Sequence, residues 1–78
     1  MDIAEEIDAR GLICPLPVLR LRKRLQAHGP GAVVRIMTTD PVAVVDIPHF
    51  CAEEGHEILS REDREGEHGW TIRKGPVR

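Results

Sequence analysis

The sequence predicts an α/β (α+β) two-layer sandwich of order β-α-β-α-β-β, with a mixed four-stranded sheet and two helices on one face. Three observations predict it. Segments rich in β-branched residues alternate with segments whose apolar residues recur at three and four, and glycine or proline marks each change. A strand, a helix and a returning strand imply a right-handed crossover between parallel neighbours. The chain has 78 residues, room for only two helices, and two helices most simply cover a single face.

The elements follow in order. In 3–9, "IAEEIDA", Ile3, Ile7 and Ala9 share one parity with acidic residues between them, which predicts a short strand with one wet face. Gly11 ends it. A helix is expected over 15–28, with Pro15 at its first position, where no amide hydrogen is needed. Val18, Leu21 and Leu25 form its core stripe, and "HGPG" at 28–31 stops it. The β-branched run 32–39 predicts a strand, with Val34, Ile36 and Thr38 on one face. A second helix is expected to begin near Asp46, with Asp46 as its cap and Pro48 in its first turn, because proline cannot sit deep in a helix. Val42, Val45 and Phe50 are its expected core contacts, and Gly55 closes it. Residues 56–61 and 69–74 read as a hairpin with its turn in "EDREGEHG". The chain thus reads as one domain over 1–75, with 76–78 as a loose tail.

Size and charge bound the function. A domain this small buries only about 60% of the surface its unfolded chain exposes. It has no room for a deep substrate cavity beside a packed core, so a carrier, a binding module or a small subunit fits better than a stand-alone enzyme. Eleven basic against thirteen acidic residues give a formal charge of −2, with no global pull towards nucleic acid or anionic membrane. The basic residues Arg20, Arg22, Lys23 and Arg24 nevertheless crowd one segment, which is either a solvated helix face or a docking patch for an acidic partner. No apolar run approaches the length of a membrane span, and "MDIAEEID" lacks the basic start and apolar core of a signal peptide. A cytoplasmic protein is expected. No cofactor is implied, and the two cysteines and four histidines show no spacing of a structural zinc site.

The stretch "ARGLICPLPVLRLRKRL" carries the chemistry. Cys14 stands directly before Pro15 and Pro17 at the mouth of the first expected helix. If Cys14 caps that helix, free backbone amides and the helix dipole favour its thiolate. The prolines remove two of the free amides and stiffen the turn, leaving the amides of Cys14 and Leu16 to converge on a small anion. The parallel strands bring Thr38, Thr39 and Asp40 to the same edge as Cys14, and Arg10 stands four residues before it. An inert, buried thiol is the bland alternative; position favours the reactive one. Cys51, after Phe50 in the second helix, reads as a packing residue. His28 lies at the far end of the first helix, roughly 20 Å from Cys14 at 1.5 Å per residue, so no Cys–His dyad forms there. A thiol with no proton shuttle suits sulfur exchange better than acyl hydrolysis.

These residues resemble a known family. "DARGLICPLPVLRLRK" is similar to the Cys-Pro-x-Pro signature of the TusA (SirA-like) sulfur carriers, within the longer frame Asp-x-Arg-Gly-Leu-x-Cys-Pro-x-Pro. "TTDP" (38–41), "DIPHFCAEEGHEIL" (46–59) and "TIRKG" (71–75) match later segments of that family in order and spacing. The resemblance implies the same sandwich. It implies that Cys14 accepts sulfane sulfur from a donor such as a cysteine desulfurase or a rhodanese, holds it as a persulfide and passes it to an acceptor protein. Destinations in the family include tRNA 2-thiouridine synthesis, sulfur oxidation and molybdenum-cofactor assembly. Arg10 and Asp40 carry over as supporting positions, and Gly11, Pro15 and Pro17 as motif positions. Arg20, Lys23 and Arg24 are the expected partner-binding residues. Cys51 falls in the family-like "FC" and is expected to pack.

Two rivals remain open at this stage. One is an RNA- or protein-binding regulatory module with a structural thiol; the net negative charge and a content of one Phe, one Trp and no Tyr weigh against RNA. The other is a redox module pairing Cys14 with Cys51.

Overall fold

The computed structural model describes residues 2–76. Six elements run in chain order: β1 (Glu5–Ala9), α1 (Leu16–Leu25), β2 (Val33–Thr38), α2 (Ala43–Glu54), β3 (Glu57–Arg64) and β4 (Glu67–Arg73). The sheet order is β1-β2-β4-β3. β1 and β2 are parallel, with Ile7 opposite Ile36, whereas β4 pairs antiparallel with both β2 and β3. This is the mixed four-stranded sandwich that the sequence predicts. Of the expected tail, Val77 and Arg78 lie outside the described residues.

Alternation in the strands and the helical stripe in α1 build the core. Ile7 and Ala9, Val34, Ile36 and Thr38, and Trp70 and Ile72 turn one sheet face towards the helices. Leu21 and Leu25 of α1 meet it with Ala43, Ile47, Phe50 and Cys51 of α2, while Val18 packs at the margin. Burying a leucine side chain contributes about 1.5–3 kcal/mol. Leu21 and Leu25 therefore anchor α1, and with it the loop that precedes it. Ile3, expected on the buried parity, is exposed because it lies before the first ladder pair.

The helix boundaries differ from expectation. α1 starts at Leu16, with Pro15 as its N-cap residue and Pro17 buried in its first turn. Residues 26–28 leave the helix, and the Lys74 ammonium donates to the carbonyls of Leu25 and His28 at its end. α2 begins three residues earlier than Asp46. The Asp40 carboxylate accepts the Val42 N–H (3.3 Å) and the Asp40 carbonyl accepts the Ala43 N–H (3.0 Å), so the first turn is already nucleated there. Pro48 is accommodated inside α2 rather than at its start. This phase leaves Val42 (46% accessible) and Val45 (67%) on the surface, so neither is a core contact; Ala43 and Ile47 fill those places. Gly55 ends α2 with a φ of 78°, in the left-handed region that favours glycine.

The β3–β4 hairpin is longer than its apolar residues suggest. Asp63 pairs with His68 and Arg64 with Glu67, leaving a two-residue turn at Glu65 (φ 51°) and Gly66 (φ 79°). Two consecutive positive φ values match the twist of the flanking strands. The charged residues of β3 also protect this open sheet edge from pairing with other chains. Among the described residues, no helix is long and apolar enough to cross a membrane.

Candidate functional site

The carboxyl ends of β1 and β2 lie at one edge of the sheet, and the loop 10–15 is fastened there. Gly11, at φ 79°, turns the chain back and donates its N–H to Thr39 Oγ1 (2.9 Å). The Leu12 N–H closes onto the Ala9 carbonyl (3.2 Å). The Cys14 N–H donates to Asp40 Oδ2 (2.7 Å). The Cys14–Pro15 peptide is cis, and the Pro15 carbonyl accepts the Leu19 N–H at 3.2 Å, the first bond of α1. Cys14 is thus one residue outside the cap position, and its side chain is exposed.

The electrostatics of the thiol correct the sequence expectation. The two amides assigned to an anion are already engaged: that of Cys14 by Asp40, and that of Leu16 by the Ile13 carbonyl (2.8 Å). The sulfur faces a carboxylate, because Cys14 Sγ–H donates to Asp46 Oδ2 at 3.0 Å. That hydrogen bond, then partial loss of solvent and the charges of Asp46 and Asp40, pushes the Cys14 thiol above its ordinary value. In the unpartnered chain the thiol is favoured over the thiolate.

Arg10 is committed elsewhere. Its backbone N–H and its guanidinium donate to Asp8, the latter at 3.0 and 3.2 Å, and it reaches Glu67 at 3.9 Å. The expected basic face is partly engaged as well. Arg24 forks onto Glu5 (2.7 and 3.1 Å), Arg20 donates to the Asp8 carbonyl at the edge of β1 (2.8 Å), and Arg22 lies over the Phe50 ring (5.4 Å). Around the cysteine loop, Ile13, Leu16 and Leu19 expose apolar side chains.

A cleft of about 300 Å³ runs between the two helices from Cys14. Pro15, Val18 and Arg22 line one wall and Asp46, His49, Phe50 and Glu53 the other. The fold therefore brings a histidine into the cysteine's cleft, which no sequence spacing shows. His49 Nε2, however, pairs with Glu53 at 2.6 Å, and the thiol's hydrogen bond goes to Asp46. Asp46 is the site residue that sequence reasoning assigned to another task. The available signal was its distance of six residues from Asp40, which a helix starting at Ala43 turns into a pair flanking Cys14.

Cys51 is buried in the core, and burial pushes its thiol up to about 11. Both cysteines are free. His49, Cys51 and His56 diverge: His49 is exposed, Cys51 packs inwards, and His56 stacks near Phe50 and accepts the Gly75 N–H. Among the described residues no cluster of three His, Cys, Asp or Glu side chains is placed to hold a metal ion.

The fold and site define a class: a small two-layer sandwich that presents one cysteine at the sheet edge, before a proline-bounded helix. The family model described as sulfurtransferase TusA matches residues 5–74. This chain belongs to the TusA family. A protein of Allochromatium vinosum named sulfur carrier protein TusA is 38% identical over 73 residues, spanning 94% of this chain and 96% of that one. One of the same name from Pseudomonas entomophila is 41% identical over 68 residues, spanning 87% and 85%. The crystal structure of a SirA-like protein from Desulfitobacterium hafniense superposes with a TM-score of 0.80 at 27% identity, covering 91% of this chain and 97% of that one.

Proposed function

We propose that this protein is a sulfur carrier, holding sulfane sulfur as a persulfide on Cys14 and relaying it between a donor and an acceptor protein. The observation that carries the reading is the exposed Cys14 thiol on a loop fastened by Asp40 and Thr39 at the sheet edge. The names of the relatives give the same direction. Thiol–disulfide chemistry supplies the step: the Cys14 sulfur attacks the outer sulfur of a donor persulfide, the donor's S–S bond breaks, and the Cys14 proton ends on the departing thiolate. An acceptor thiol then takes the outer sulfur in the same way. A cysteine desulfurase or a rhodanese is a donor of the right chemistry. Asp40 supports the reaction by fixing the Cys14 backbone, and Arg10 by bracing the end of β1 through Asp8 rather than by touching sulfur. The exposed leucines beside Arg20 and Lys23 offer partners an apolar and basic margin, while Arg24 is tied down by Glu5. The RNA-binding alternative lacks a stacking platform, because Phe50 and Trp70, the chain's only aromatic residues of the Phe, Tyr and Trp type, are both buried.

Intact-mass analysis after incubation with a cysteine desulfurase and cysteine tests the reading. One added sulfur, removed by reductant and absent from Cys14→Ser, is the expected result. No addition from that donor, from polysulfide, or from thiosulfate with a rhodanese would reject it.

A further inference from the structure

We propose that Asp46 makes Cys14 selective for sulfur partners that bring a positive charge beside the reacting sulfur. The inference deepens the carrier reading and rests on it. The geometry is direct: Asp46 Oδ2 receives the Cys14 S–H at 3.0 Å, and Asp40, from the loop after β2, places a second carboxylate on the backbone of the same residue. Among the described residues no cation forms an ion pair with Asp46 or Asp40. Across the cleft Arg22 stacks over Phe50 at 5.4 Å; on α2, His49 is held by Glu53. Arg10 is held by Asp8 and Glu67, and Arg24 by Glu5. The charges nearest the sulfur are negative, and their effect on the thiol has the same sign.

A cation carried by a donor changes that balance. Placed against Asp46, it offsets the carboxylate, lowers the cost of the thiolate and frees the sulfur to attack. With a donor persulfide the Sγ–S bond forms as the donor's S–S bond breaks; the Cys14 proton passes through Asp46 and solvent to the donor thiolate, and no external oxidant or reductant is consumed. A partner with a carboxylate beside its sulfur meets repulsion instead. The same carboxylate keeps the unpartnered thiol protonated and slow towards incidental electrophiles.

Small disulfides test this on the purified full chain. Rates of mixed-disulfide formation at Cys14 are measured with cationic cystamine and anionic dithiodiglycolate, and the pH midpoint of alkylation with neutral iodoacetamide. Normalised to the same two disulfides reacting with a small neutral thiol, which removes their difference in leaving-thiol pKa, the wild type should favour cystamine by about fivefold or more at low salt, the ratio of a single charge contact in water, and the preference should shrink as salt is added. Asp46→Asn should cut the ratio at least about twofold and move the alkylation midpoint to lower pH, whereas Asp46→Glu, which restores the charge, should recover both. An unchanged ratio and midpoint in folded Asp46→Asn overturn the proposal. Persulfide loading, read by mass on the same samples, separates the two claims. Loading without charge preference overturns this inference alone; charge preference without loading overturns the carrier reading and leaves only a charge-selective thiol.

Discussion

The backbone N–H of Cys14 donates to Asp40 Oδ2 at 2.7 Å, joining two loops separated by 26 positions in sequence. The other oxygen of Asp40 accepts the Val42 N–H at the start of α2. One carboxylate therefore sets the cysteine loop and the helix that carries Asp46. Thr39 adds a second fastening through Gly11.

Removing that joint should affect both stability and transfer. Asp40→Ala should lower unfolding stability by about 1–2 kcal/mol, the ordinary cost of losing a cap and a charge-assisted hydrogen bond near solvent. It should also slow persulfide loading from a protein donor, because the cysteine loop is no longer fixed at the sheet edge. Asp40→Asn keeps one acceptor oxygen and should lie between. Urea melts and mass-monitored loading check this; an Asp40→Ala protein with wild-type stability and loading would show that the joint does neither task.

The buried hydroxyl of Thr38 makes a second relationship measurable. Thr38 Oγ1 accepts the Trp70 indole N–H at 3.0 Å and lies 3.2 Å from His68 Nδ1. Both Thr38 and Trp70 are almost wholly inaccessible. Thr38→Val preserves shape but leaves the indole N–H without a partner, at a cost of about 1–3 kcal/mol. Thr38→Ser should recover most of it. Trp70 is the chain's single tryptophan, so its fluorescence reports the change directly. Equal denaturation midpoints for the Val and Ser variants would contradict the assignment.

Acid should weaken the fold through the carboxylates around β1. The Arg10 side chain, then its backbone N–H, holds the Asp8 carboxyl down to about 2. Hydrogen bonds from Arg24 and then His28 hold Glu5 below its ordinary value. A carboxyl depressed by folding stabilises the native state above its unfolded value near 4 and loses that contribution as pH falls through the folded value. Urea midpoints should therefore drop between about pH 4.5 and pH 2. The loss should be modest because these pairs are near solvent, and smaller in high salt. Glu5→Gln with Asp8→Asn should start lower at pH 7 and lose less across that window; parallel curves for the two proteins would rule these carboxylates out as the source.

Much of the fold is legible locally. Val34, Ile36 and Thr38 alternate as one face of a central strand, Leu21 and Leu25 recur at the helical period, and Gly55 stands where a helix must end. Parallel β1 and β2 place their carboxyl ends together, so Asp40 can be brought towards Cys14 from topology before any distance is known. The phase of α2 is not legible in this way. Its start depends on the Asp40 carboxylate and carbonyl, and its interior tolerates Pro48, against the ordinary rule that proline begins or ends a helix. Starting at Ala43 turns Val42 and Val45 to solvent and Asp46 to the thiol.

The sequence by itself determined the order of elements, the core faces of β1, β2 and α1, and the position of the one exposed cysteine, because these follow from periodicity and from breakers a few residues apart. Only the tertiary structure decided the charge that surrounds that cysteine. The thiol and Asp46 are 32 positions apart, on different elements. Their contact depends on how the helices rotate as they pack, which no local pattern encodes.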